Sequence, residues 1–511
     1  MGDYDEGGQP DRVNVAHIID GHDAATPALI SRNQTITYGE LAERAGRLRG
    51  GFARLGITDG DRVAIICGNG HPFVIAYLAL VGMGVVAVPL NPSSPGPELQ
   101  RELAAVDAVG VVVDRSAAAT WRNVDVSALP TIRHVITVDG DPGGGAIPID
   151  ELLTADPLPV ADLDRDHLAV LLFTSGTAGS PRAAMLTHGN LLANIEQARS
   201  VPDRALPGDV VYGVIPPYHI FGLNVVLGIS LSVGATVVLV QRFDPATALE
   251  SIRARGVTVI PGAPSMWVAF AHFEEAPADA FAPVRLALSG AAKLPVSVAE
   301  GLRERFGLVV HEGYGLTEAS PIVTSSAGLT PRYGSIGRVL GGMEVRIVDD
   351  DGADALVGDA GEIWVRGPNV FAGYLDDADA TAKVLTSDGW LRTGDIAVCD
   401  DDGRLYLVDR AKDLVIVSGF NVFPAEVEDV LVAHPDVADA GVIGVPHPHT
   451  GEAVKAFVVL EPGATVDEDA LIDYAHDHLA RYKCPTKIMF VDELPRSATG
   501  KLIRRELVPG T

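Results

Sequence analysis

The chain has 511 residues, 47% of them hydrophobic and 21% charged, enough for two or more domains with substantial cores. Acidic residues outnumber basic ones 67 to 39, and the resulting net charge of −28 repels nucleic acid and anionic membranes, excluding both as expected partners. Three distant cysteines (Cys67, Cys399, Cys484) without a CxxC pair argue against a disulfide framework or a zinc site and fit a reducing cytoplasm. An anionic ligand would need basic side chains concentrated locally. The start, MGDYDEGGQPDR, is acidic and polar, unlike a signal peptide.

From about residue 35 to 400, helical stretches alternate with short β-rich runs, as in YGELAERAGRLRGGFARLG then DRVAIIC, RELAAVDA then VGVVVD, and SIRARG then VTVIPG. This alternation predicts an α/β domain of several layers with mostly parallel sheets. Two uncharged stretches, 73–90 and 220–240, are long enough for a membrane span. Glycine interrupts both, and both end in β-branched runs, so each reads as a buried helix, a glycine break and a buried strand, with no transmembrane segment. The run HLAVLLF predicts a strand entering TSGTAGSPRAAMLTHGN (174–190), a place where backbone N–H groups can face an anion. Its glycines are too close for G-x-x-x-x-G-K-[ST], and Pro181-Arg182 replaces Gly-Lys, so a Walker-type nucleotide loop is not expected. Alone it is equally a Ser/Thr/Gly turn.

Further along come PPYHIFGLN (216–224), the apolar VIPGAPSMWVAF (259–270), LSGAAKLP (288–295) and EGYGLTEAS (312–320). The last places a hydroxyl, Thr317, beside a carboxylate, Glu318, after two glycines that permit close backbone approach. Its plainer reading is an N-capping turn before a helix. DDDG at 349–352 and at 400–403 lacks the first ligand of a calcium loop and predicts hairpin turns. GWLRTGDIA (389–397) puts Asp395 at the end of an expected strand. Residues 403–423 read as a hairpin, and Pro424 then opens a helix. From there two β runs, the helix DEDALIDYAHDHLARY and a final β run predict a small α+β unit. The expected domains are 1–411 and 412–511. PRSATGKLIRREL (495–507) carries Lys501, by default a solvated lysine.

Six of these segments, in order, resemble the adenylate-forming, AMP-binding enzyme superfamily, in its acyl-CoA synthetase or fatty acid–CoA ligase branch. The resemblance implies that Thr174, Ser175, Gly176, Thr177 and Gly179 cradle the phosphates of ATP, with Arg182 as the accompanying charge. Ala178, Arg182 and Ala183 stand where threonine, lysine and glycine are usual, although arginine also grips phosphate. It implies that Gly290, Ala291 and Ala292 lie along adenine and the acyl group and that Tyr314 stacks on adenine. Thr317 would contact the α-phosphate and Glu318 would bind Mg²⁺. Asp395 and Arg410 would hold the ribose, Lys412 would be the hinge of a mobile C-terminal domain, and Gly419 would meet the pantetheine arm. His219, with Gly222, would line or gate the acyl pocket, although it could equally be a core histidine. Lys501 would reach the reacting carboxylate and α-phosphate.

The implied activity is an acid–thiol ligase with ATP, Mg²⁺ and CoA, acting in the cytoplasm through an acyl-adenylate. No unpaired charge is evident for a polar acyl chain, which favours a medium- to long-chain fatty acid. An aromatic acid stays open, as does an acyl-AMP ligase loading a carrier protein. A non-catalytic nucleotide binder is disfavoured by the presence of Glu318, Asp395 and Lys501. Arg481, Lys483 and Lys487 are candidate contacts for the phosphates of CoA. Oligomeric state is not legible.

Overall fold

The computed structural model describes residues 13–32, 34–140, 142–143, 145–174, 182–349, 351–410, 413, 415–417, 420–447, 450–497 and 500–507. Within them the alternating text becomes four sheets. The first has seven strands, in spatial order Ile147–Pro148, His134–Thr137, Gly110–Val113, Arg62–Ile66, Val86–Pro89, Leu168–Thr174 and Arg182–Thr187. All neighbours run parallel except the last pair. Its central strands read as unbroken apolar runs because helices cover both faces; Val63 to Ile66 and Val111 to Val113 have no exposed surface.

The second sheet has nine strands. Its parallel centre runs Val310–Gly315, Leu286–Ser289, Val259–Gly262, Val210–Gly213, Thr236–Leu239 and Pro27–Ser31. Antiparallel strands finish both edges, Ile322–Ser325 and Arg338–Val339 on one side and Gln34–Thr37 on the other. The α/β expectation with mostly parallel strands is met.

Both span-like stretches fold as the glycine breaks required. Residues 73–90 supply most of the buried helix His71–Val81, a turn at Gly84 with φ +78° and the strand Val86–Pro89. Residues 220–240 supply a π-type helix, Phe221–Ile229, one further turn, and the strand Thr236–Leu239. No described helix is long and apolar enough to cross a membrane.

A third sheet is antiparallel: Glu344–Val348, Ala360–Arg366, Leu391–Cys399 and Leu405–Arg410. Both DDDG stretches are its hairpin turns. Asp349 accepts from the N–H groups of Asp351 and Ala353, and Asp400 from those of Asp402 and Arg404, the usual way an Asp side chain closes a turn.

The fourth sheet belongs to the C-terminal unit. Val437–His447 and Gly451–Leu460 form a long antiparallel pair, flanked by Val415–Val417 with Phe420–Val422 and by the parallel strand Lys487–Phe490. Helices Pro424–Val432 and Glu468–His478 bury Val427, Leu431, Leu471 and Ala475 against Val442, Val454 and Val458.

The expected hairpin over 403–423 is corrected in part. Leu405–Arg410 pairs with Leu391–Cys399 in the third sheet, whereas Val415–Val417 and Phe420–Val422 pair with each other in the fourth. The expected division between residues 411 and 412 lies outside the described residues.

A backbone contact joins the second and third sheets. Ile336 N–H donates to the Leu405 carbonyl and Leu405 N–H donates to the Gly337 carbonyl, both at 2.9 Å. Gly337 has φ +87°, and a Cβ there would stand 2.0 Å from the carbonyl carbon of Ser325. Left-handed strain and overpacking each cost about 1–3 kcal/mol. Gly337→Ala should therefore lose roughly 2–6 kcal/mol of stability, read by urea unfolding followed by tryptophan fluorescence.

Candidate active site

Parallel strands leave their carboxyl ends open, and ligands of α/β sheets settle there. Beyond the ends of Leu286–Ser289 and Val310–Gly315 lies a cavity of about 750 Å³, closed on other sides by the seven-stranded sheet, the third sheet and the C-terminal unit. It gathers side chains from positions 173 to 501.

Thr174 and Arg182 flank one end of the cavity. They stand opposite each other in the antiparallel pair Leu168–Thr174 and Arg182–Thr187, so a strand and not a helix begins at Arg182. Ser175, Gly176, Thr177 and Gly179 lie outside the described residues, as does Ala178. Arg182 is tied sideways: its Nε donates to Asp377 Oδ2 at 3.0 Å, and its guanidinium lies 5.7 Å from the centroid of the Tyr374 ring.

Across the cavity, Tyr314 ends the inward side of its strand. Its hydroxyl donates to Asp395 Oδ2 at 2.6 Å, and both side chains are buried. Asp395 stands inside the strand Leu391–Cys399, next to a register shift, and not at a strand end as expected. Arg410 is its backbone partner in the ladder; the side chain of Arg410 lies outside what is described. Lys412 and Gly419 also fall outside the described residues.

Thr317 and Glu318 form a single tight turn, Thr317–Ala319, with no helix following, so the capping alternative does not hold. Both line the cavity. Glu318 Oε1 accepts from the Tyr374 hydroxyl at 2.7 Å, while Oε2 has no protein donor among the described residues. A carboxylate oxygen left open beside a threonine hydroxyl is a fitting ligand for a hard divalent cation. Gly290 and Ala291 lie on the wall, and Ala291 holds φ +73°, a left-handed conformation uncommon for a residue with a side chain. Ala292 is not part of the wall.

An apolar section of the wall comes from Phe221 and Val225 on the π-type helix and from Leu288, Pro321 and Ile322. Met266 and Trp267 are core, with the Trp267 indole N–H donating to the Leu288 carbonyl behind that wall. Gly222 is not on the cavity wall, and a Cβ there would stand 2.1 Å from the Pro216 carbonyl oxygen, so its smallness serves packing.

His219 faces the cavity and accepts from Phe221 N–H through Nδ1 at 3.2 Å, which puts the proton of the neutral ring on Nε2. Enclosure by protein and, second, the Lys501 charge push its pKa down to about 4. Lys501 is part of the wall, carried by a short turn of the C-terminal unit in which Ser497 N–H donates to the Lys501 carbonyl and Lys501 N–H donates to Ser497 Oγ. Arg496 anchors that turn through a two-pronged pair with Asp439. Gly500 abuts Ser265, and Lys293 pairs with Asp429, so the C-terminal unit rests on the rim.

In a chain of net charge −28, the cavity wall holds, among the described residues, four cations, Arg182, Lys383, Arg392 and Lys501, against three carboxylates, Glu318, Glu362 and Asp395. The local concentration of basic groups that an anionic ligand requires is present. Sequence reasoning missed Lys383, Arg392 and Tyr374. Arg392 sits in the stretch that yielded Asp395, on an alternating strand, and could have been found there; Lys383 and Tyr374 carry no motif. Of the suggested CoA contacts, Lys483 is engaged by Glu426.

The family model described as AMP-binding enzyme matches residues 19–375, and that of the AMP-binding enzyme C-terminal domain matches 426–501. A long-chain-fatty-acid–CoA ligase of Yersinia pestis is 37% identical over 95% of this chain and 91% of its own length. The 4-coumarate–CoA ligase 3 of Oryza sativa subsp. japonica is 32% identical over 94% of this chain and 89% of its own. ATP-bound MatB from Rhodopseudomonas palustris superposes with a TM-score of 0.90 at 32% identity, covering 97% of this chain and 98% of that one. Its apo form gives 0.79 at the same identity, so the arrangement here is nearer the ATP-bound one.

A histidine with a depressed pKa binds fewer protons folded than unfolded, so the contribution of His219 to stability falls as pH drops from 6.5 to about 4. An NMR titration of His219 should have its midpoint near 4 in the unaltered protein and a higher one in Lys501→Ala. An unchanged midpoint would mean that the Lys501 ammonium does not stand at the cavity.

Proposed function

The chain belongs to the AMP-binding enzyme family and is an acid–thiol ligase of the acyl/aryl-CoA type, using ATP, Mg²⁺ and CoA; within that activity we propose that its acid is a medium- to long-chain fatty acid. The observation that carries this is the wall of Phe221, Val225, Leu288, Pro321 and Ile322, which offers an acyl chain apolar surface and no charge to bind a polar substituent. Each methylene buried there is worth about 0.8 kcal/mol, roughly fourfold in affinity.

We assign the residues as follows. The acid's carboxylate attacks the α-phosphorus of ATP, pyrophosphate leaves, and an acyl-adenylate forms. Tyr314 faces adenine, Asp395 accepts from the ribose hydroxyls with Arg410 beside it, and Gly290 and Ala291 border the base and acyl group. Thr174, Ser175, Gly176, Thr177, Gly179 and Arg182 hold the outer phosphates, and Thr317 the α-phosphate. Glu318 would hold the Mg²⁺, which neutralises the polyphosphate. Lys501 stabilises charge that develops between carboxylate and α-phosphate, and neutral His219 donates from Nε2 toward the acid. The C-terminal domain, 412–511, then turns about Lys412 so that Gly419 meets the pantetheine arm. The CoA thiolate attacks the acyl carbonyl, and AMP leaves with the bond electrons.

Similarity to a 4-coumarate–CoA ligase favours a second reading, an aromatic acid packed flat against Phe221 beside Gly290. A carrier-protein thiol in place of CoA is the third. The setting we infer is the cytoplasm.

Pyrophosphate release with Mg-ATP, with and without CoA, across straight-chain, cinnamic and benzoic acids decides among them. We expect kcat/KM to climb with chain length and acyl-CoA to be seen by mass. Faster turnover of aromatic acids would replace the fatty-acid reading, and adenylate without thioester would point to a carrier protein. Lys501→Ala should lower adenylation about 10²–10³-fold yet leave thioester formation from supplied acyl-adenylate nearly intact. Equal loss of both halves would remove Lys501 from its assigned role.

A further inference from the structure

The segment from Asn369 to Asp377 carries none of the sequence motifs, yet it bridges the two parts of the site that face polyphosphate. On one side it forms backbone hydrogen bonds with the strand that follows the phosphate loop: Ala372 N–H to Met185 O, Met185 N–H to Gly373 O and Leu375 N–H to Ala183 O, at 2.9–3.0 Å. On the other it grips the Thr317–Ala319 turn. Asn369 Nδ2 donates to the Ala319 carbonyl at 2.7 Å, and Phe371 N–H donates to the Glu318 carbonyl at 2.9 Å. Asp377, which caps the helix Ala378–Val384, holds Arg182.

Tyr374 lies at the centre of this bridge. Its ring meets Phe371 edge to face at 5.0 Å and has the Arg182 guanidinium 5.7 Å from its centroid. We propose that Tyr374 is a positioning residue, whose hydroxyl, donating to Glu318 Oε1 at 2.7 Å, aims the carboxylate so that Oε2 faces the Mg²⁺ that accompanies ATP. This rests on the metal role assigned to Glu318. A carboxylate on a free side chain samples several rotamers, and ordering it when the cation arrives costs free energy. With one oxygen fixed by a buried donor, that cost is met in the folding of the protein. Arg182 above the ring couples the aim of the carboxylate to the strand that carries the phosphate loop.

The test is calorimetric binding of α,β-methylene-ATP, an uncleavable analogue, at a series of Mg²⁺ concentrations, with Tyr374→Phe and Glu318→Gln beside the unaltered protein. Phe keeps the ring under Arg182 and removes only the hydroxyl. Tyr374→Phe should raise the half-saturating Mg²⁺ concentration about tenfold. The KM values for acid and CoA and the melting temperature should stay as they are, a split that a general structural role would not produce. An unaltered Mg²⁺ curve in Tyr374→Phe, with a shifted one in Glu318→Gln, overturns the proposal alone. An unaltered curve in Glu318→Gln overturns it by removing the metal role of Glu318.

Discussion

The polar half of the cavity depends on where the nine-stranded sheet meets the antiparallel third sheet. Backbone bonds between Ile336, Gly337 and Leu405 fix that join, and only a residue without a Cβ lets the chain pass Ser325 so closely. The join decides that Tyr314, at the end of one sheet, reaches Asp395, in the middle of a strand of the other, across 81 residues of sequence. Both side chains are buried, so each satisfies a polar atom of its partner that would otherwise cost about 1–3 kcal/mol. A ligand edge lying along Tyr314 therefore meets a carboxylate already held in place.

Charge follows the same economy of placement. The chain is strongly acidic, and its surface discourages anions at long range. Arg182, Lys383, Arg392 and Lys501 nevertheless converge on one cavity, where water is partly excluded and each cation acts at lower effective dielectric. Burial and, second, the Lys501 charge keep His219 neutral. A neutral ring with a fixed tautomer can donate a hydrogen bond to a carboxylate without competing with Lys501 for its charge.

Lys501 reaches that cavity only because a separate unit brings it there. The turn that carries it is anchored within its own unit by Arg496 and Asp439, and the unit is seated on the rim by Lys293 with Asp429 and by Gly500 against Ser265. An exposed ion pair such as Lys293 with Asp429 is weak, about 0–1 kcal/mol. Seating of this kind is compatible with the domain rotation proposed above. The closer superposition on the ATP-bound than on the apo form of MatB agrees with the observed seating.

Much of the design was legible in residue order. Apolar periodicity distinguished helices from strands, glycine interruptions turned two membrane-length stretches into helix–turn–strand units, and Asp-rich turns closed the hairpins at Asp349 and Asp400. The resemblance carried by its motif loops named Thr174, Gly290, Tyr314, Glu318, Asp395 and Lys501, and all six face one cavity. Sequence could not assign Leu405–Arg410 to a different sheet from Val415–Val417, because strand pairing is a long-range choice and neighbouring β-rich text looks the same either way. Nor could it find Tyr374, whose partner carboxylate lies 56 residues away, or foresee that Arg182 is held by Asp377 across 195. The sequence by itself determined which local elements form and which loops carry polar chemistry, since spacing and backbone conformation are properties of neighbouring residues. Tertiary structure alone decided which of those loops share a cavity and which side chains aim the others, because hydrogen bonds and packing act through space.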